Sequence, residues 1–254
     1  MGKPRTSAFV LRLLLLAAAL LPLIFFYEVW HVPVKVFLLG TGSWGFGVIF
    51  KMLFHQLLLR PKERRGGPLL RHSLVNGFLS GFFELLAALA VILLTREKVV
   101  YDHHGMIAFG TAIGSLEMLL VVFSRGDELL RGTVLEGPAA RMRALTERAT
   151  GIERLLLQLL YPFLERVMAM LIHVATRGLL FITLVTGHIL PLLAALLIFV
   201  LADGILGTWF YLTGRLEKRE GIDRFMGWLF LLALTGMALF LYLDEVFQMQ
   251  EKIF

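Results

Sequence analysis

The chain has 254 residues, 58% of them hydrophobic, with no cysteine and a net charge of +6. A mean hydropathy of +0.79 is more than a soluble domain of this length can bury, which excludes a soluble fold and indicates an integral membrane protein. The lack of cysteine excludes disulfides, thiolate metal sites and cysteine nucleophiles; the basic excess reads as loops held on one membrane face, not as nucleic-acid binding.

Taken in chain order, the apolar runs predict seven membrane spans, at 8–29, 36–59, 73–95, 105–124, 164–186, 189–212 and 225–243. Each is long enough as a helix for about 30 Å of hydrocarbon. The first follows the basic start MGKPR and runs on into YEVW with no small-residue cleavage site, so it is expected to be a retained anchor. The loop between the fourth and fifth spans is long. Met142, Leu145, Ile152, Leu155, Leu156 and Leu159 share one helical face there, and the other face is charged. This predicts an amphipathic surface helix over 138–162, opened by Pro138 and closed near Pro162.

Loop charge predicts the orientation. With the N-terminus inside, the outer segments carry only Lys35, Arg96, Lys98 and Lys252, and the remaining loop lysines and arginines fall inside. An inner-membrane protein with a cytoplasmic N-terminus and an external C-terminus is expected. The fold class is therefore all-α: one polytopic membrane bundle over 1–254, with about seven transmembrane helices and one interfacial helix. The lipid bilayer and other membrane subunits are the expected partners.

Ionisable residues inside spans are costly and normally face the bundle interior or a wet cavity. They are Lys51, His55, Glu84, Glu117, Glu165, Arg166, His173, Arg177 and Asp203; Arg12 is near enough to an interface to snorkel. Glu84, His173 and Asp203 fall near mid-membrane, with Lys51 and Glu117 somewhat nearer the inner face. Asn76, Ser80 and Glu84 share a helical face beside Gly77 and Gly81, and Gly110, Gly114 and Glu117 share another. Small residues at such spacing let helices approach closely. A carboxylate, an imidazole and a second carboxylate at one depth are the donor types that zinc takes. Outside the membrane, YDHHG (101–105) reads either as a solvated loop or as a surface metal site.

The order of these motifs resembles the YhfC-type intramembrane metalloproteases, relatives of the CAAX-processing membrane proteases. GVIFKMLFHQLLLRP, GFLSGFFELL, FGTAIGSLEMLL, ERVMAMLIHVA and FVLAD follow that family's motif order over residues 38–205. The resemblance implies Glu84 as catalytic base and His173, Asp203 and Glu117 as zinc ligands. Departures weaken it: Leu85 stands at a second glutamate position, and Ile113 and Phe199 stand where the family has histidines. Only His173 remains of three motif histidines. The expectation is therefore a degenerate relative without peptidase activity and without a cofactor, a binding, assembly or accessory subunit. In it Lys51 and Arg177 neutralise Glu117 and Glu84 or Asp203. Zinc enters only under the alternative of an active intramembrane peptidase. A transporter or ion-pathway component is the second alternative.

Overall fold

A computed structural model describes residues 4–56, 69–123 and 149–251, and the described residues contain helices and no strand. Long apolar runs leave no other solution in lipid, because every backbone polar group must be satisfied within its own segment. Among the described residues, seven helices are long and apolar enough to cross a membrane. They are α1 (Pro4–Glu28), α2 (Val34–Phe54), α3 (Leu69–Thr95), α4 (His103–Phe123), α5 (Gly151–Thr186), α6 (Leu190–Trp209) and α7 (Arg219–Glu251). The chain is a polytopic bundle of membrane-spanning helices.

Contacts at the two ends follow an up-and-down course. One end joins Lys35 Nζ to the Lys98 carbonyl (2.6 Å), His103 Nδ1 to Asp244 Oδ2 (2.9 Å), and the Trp30 and His104 rings. The other end joins Tyr161 and Arg219 to Asp223. The YDHHG segment is thus packed: Asp102 Oδ1 accepts the Gly105 N–H at 2.7 Å and caps α4, and His103 stacks on Phe240.

The core lies around α5, which packs on α4, α6 and α7 and also meets α1. Glycines set the closest approaches. A Cβ on Gly77 of α3 would stand 2.7 Å from Gly204 Cα of α6, and one on Gly110 of α4 would stand 2.6 Å from Val174 Cα of α5. At these points backbone meets backbone. Ser115 Oγ of α4 donates to the Ala19 carbonyl of α1 at 2.8 Å, fixing an otherwise greasy contact.

Among the described residues, Leu156–Leu160 and Val200–Trp209 are wound as π-helix, as are residues 55–56 at the end of α2. The first falls in the segment expected to form a surface helix, and the helix there does not close near Pro162. Residues 138–148 of that segment, Pro138 and Met142 included, lie outside the described residues, as does most of the basic loop after α2. From Gly151 onward the helix runs straight into the membrane span. A proline clashes with the carbonyl four residues before it in an α-helix. Here the preceding turn is widened, with the Tyr161 N–H bonded to the Leu156 carbonyl five residues back, so the helix passes Pro162 without ending. The second π-stretch carries Asp203. Thr208 Oγ1 donates to the Asp203 carbonyl (2.7 Å) and accepts from Asn76 Nδ2 of α3 (2.9 Å), which satisfies a carbonyl the wide turn alters.

Candidate functional site

The polar residues of α2 to α6 meet around one cavity of about 400 Å³. Glu84, Glu117, Glu165, Arg166, His173 and Asp203 line it, together with apolar residues that include Phe199, Phe225 and Leu229. Its deep end is buried: the side chains of His173 and Glu84 are 6% and 5% exposed. Its rim is more exposed, with Asp203 at 39% and Glu165 at 29%.

At the deep end Arg177 is wholly buried and donates from Nη2 to Glu84 Oε2 at 2.9 Å. It also donates from Nη1 to Thr176 Oγ1 at 3.0 Å. Its guanidinium lies over the Phe199 ring, 5.0 Å from the centroid. Phe199, at the position where the family resemblance implies a histidine, is therefore a cation–π partner of Arg177. His173, one helical turn before Arg177, presents Nε2 to Glu117 Oε1 at 3.1 Å. A carboxylate only accepts, so Nε2 carries the hydrogen. The other ring nitrogen, Nδ1, is buried without a hydrogen-bond partner and stands 3.9 Å from Glu84 Oε2.

Toward the rim, Arg166 links Glu117, 3.7 Å from Nη1, to Glu165, which it holds through Nε at 2.9 Å and through Nη2. On the far side Lys51 Nζ donates to Ser80 Oγ (2.7 Å) and stands 3.8 Å from Asp203 Oδ2. Ser80 Oγ donates to Asp203 in turn and lies 3.4 Å from Glu84 Oε1. The eight ionisable residues Lys51, Glu84, Glu117, Glu165, Arg166, His173, Arg177 and Asp203 thus form one network with Ser80 as a joint. Glu117 faces Arg166 and His173, whereas Lys51 faces Ser80 and Asp203. The His55 ring faces that of His72, 6.4 Å between centroids.

Ser80 and Trp44 belong to the site although their residue types do not announce it. Ser80 was findable from its position four residues before Glu84 on one helical face. Trp44 lines the cavity and its indole Nε1 is buried without a partner. Its signal is weaker, an aromatic residue within the glycine-rich GTGSWGFG of α2.

Two chemistries can be tested against this geometry. Zinc needs three or four donors converging on one point. Among the described residues no group of three or more His, Asp or Glu is so arranged. His173 is turned to Glu117, and Asp203 reaches Glu84 only through Ser80. Guanidinium and ammonium groups already stand against the carboxylates, so the donor set is a poor fit for a zinc centre. A Ser–Lys nucleophile–base pair would use Ser80 and Lys51. Ser80 is fully buried and spends its hydrogen on Asp203, which leaves a substrate carbonyl no approach.

No family model, curated protein or solved structure matches the chain.

Proposed function

We propose that the chain is a non-catalytic membrane protein acting by binding, as an assembly factor or accessory subunit of a membrane complex, and that it is a degenerate relative of the YhfC-type intramembrane metalloproteases. One observation carries the reading. Each of the four carboxylates lining the cavity stands against a cation of the same chain: Glu84 against Arg177, Asp203 against Lys51, and Glu117 and Glu165 against Arg166. Carboxylates held this way are compensated by the chain's own cations; a metallopeptidase leaves them free for metal and water. The N-terminus is cytoplasmic in this proposal, on the strength of the loop charges.

An active zinc peptidase is the second reading, favoured by Glu84, Glu117, His173 and Asp203 lining one cavity. Metal analysis separates the two. Purified protein, stripped with chelator and re-supplied with zinc, is expected to hold far less than one zinc per chain, with His173→Ala no different. Near-stoichiometric zinc that disappears in His173→Ala would overturn the non-catalytic reading.

A further inference from the structure

In the α6–α7 connection and the first turns of α7, the cations divide into two kinds. Arg219 pairs with Asp223 and Glu153, and Arg224 pairs with Glu220. Arg215 and Lys218 are exposed and pair with no carboxylate among the described residues. Arg215 is nevertheless fixed. Its guanidinium lies over the Trp209 ring, 4.1 Å from the centroid, and 5.5 Å from the centroid of Phe210. Its backbone is held as well. Gly214 turns the chain in the left-handed region at φ 67°, which favours glycine. Leu216 packs on the cluster of Ala149, Leu157 and Ile222. The Arg215 carbonyl comes so close to α7 that a Cβ on Gly221 would not fit beside it. Depth follows from the chain: Trp209 is the last residue of the α6 span, and the next span begins at Arg219. Tryptophan at the end of a span sits at headgroup level, so a guanidinium stacked on it stands among lipid phosphates.

We propose that Arg215, held on Trp209, binds the phosphate of one anionic phospholipid of the phosphatidylglycerol type, with Lys218 adding charge on the same loop. The inference goes beyond the binding role proposed above and does not rest on it. A ring under one face of the guanidinium leaves its edge for a ligand. That planar edge carries paired N–H donors, which match the two unesterified oxygens of a phosphodiester in a bidentate contact. The headgroup charge sets the preference. A zwitterionic headgroup brings its own cation to its phosphate, whereas phosphatidylglycerol leaves its negative charge to the protein. The ring and the packed loop also order Arg215 in advance, which lowers the entropy cost that an unrestrained surface arginine meets on binding. Arg224 is the internal comparison: the same charge lies close by in the chain, but its guanidinium is spent on Glu220.

The test is a lipid competition on the full chain in maltoside detergent, read by native mass spectrometry. Phosphatidylglycerol and phosphatidylcholine with matched acyl chains are supplied together. One phosphatidylglycerol should bind about tenfold tighter than phosphatidylcholine. Arg215→Gln should remove that preference while melting like wild type without lipid, since it breaks no ion pair. Arg215→Lys keeps the charge without the planar fork and should stay about fivefold weaker than wild type. Trp209→Leu keeps the guanidinium without its platform and should also bind about fivefold more weakly. Arg224→Gln removes one charge from the first turns of α7 and should leave the preference within about twofold of wild type. Equal binding of the two lipids would overturn the proposal. So would an equal loss in Arg224→Gln and Arg215→Gln, which would make the preference a diffuse effect of net charge. Wild-type binding by Arg215→Lys or Trp209→Leu would overturn the stacked fork. Inorganic phosphate tests the other source of the same group. It should not displace the bound lipid, and displacement would assign the site to a free phosphate and overturn the lipid assignment. Zinc uptake in the metal analysis bears on the proposed function and leaves this inference untouched.

Discussion

Arg177 and Glu84 hold each other deep in the bundle, their side chains 0% and 5% exposed. Removing one partner of such a pair leaves an uncompensated charge, at a cost of roughly 3–5 kcal/mol. Arg177→Met should lower the thermal stability of the purified protein by that order. Arg177→Lys should recover only part of it, because a single ammonium cannot serve Glu84, Thr176 and the Phe199 face as the planar guanidinium does. Lys51→Met removes a half-exposed pair and should cost no more than about 1 kcal/mol. Equal losses for Lys51→Met and Arg177→Met would show that depth does not set the cost. The difference between the two pairs also marks what could be read from the sequence. Counting along an apolar run gives depth, and so Glu84, His173 and Asp203 can be set at one level without coordinates. It does not give the rotation of one helix against another. Lys51 and Glu117 have nearly the same depth, yet Lys51 turns to Asp203 on α6 while Glu117 turns to Arg166 and His173 on α5.

At the scale of helices, glycine identity divides into two kinds that look alike in the sequence. Gly77 of α3 lies against the Gly204 backbone of α6, whereas nothing approaches within 4 Å of a Cβ built on Gly45 of α2. Gly77→Ala must push two backbones apart and should destabilise by about 1–3 kcal/mol. Gly45→Ala should be neutral or stabilising by up to ~1 kcal/mol, since alanine is the better helix former. Thermal melting of the two variants side by side checks this, and a more damaging Gly45→Ala would refute the assignment of contact faces. The spans themselves were legible, because a long apolar run in lipid has only the helix available. Their widened turns were not. Composition gives no sign that Val200–Trp209 is wound as π-helix, and Pro162 reads as a stop when only its own clash is considered. The compensating turn depends on how Leu156–Leu160 packs, which is tertiary information.

For the whole molecule, seven crossings oblige the α3–α4 and α6–α7 connections to lie on opposite sides of the bilayer. The proposed orientation takes its sides from the loop charges: Arg96 and Lys98 would stand in a sparse outer set, and Arg215, Lys218, Arg219 and Arg224 in a dense inner one. The absence of cysteine makes the arrangement directly measurable, because each introduced cysteine is the sole thiol. Glu97→Cys and Ile189→Cys replace exposed residues in the first set of connections, at the end that also holds the His103–Asp244 contact. Lys218→Cys replaces an exposed residue at the other end, beside the Arg219–Asp223 contact. In right-side-out vesicles a membrane-impermeant maleimide should label Glu97→Cys and Ile189→Cys at once, and Lys218→Cys only after permeabilisation. The inverse pattern would keep seven crossings and reverse the orientation, which would mean that the basic loops do not govern insertion here. Labelling of Glu97→Cys and Lys218→Cys from the same side is the result that seven crossings forbid. It would place an even number of crossings between two positions that three helices, α4 to α6, now relate, and the cavity built from α2 to α6 would have to be redrawn with it.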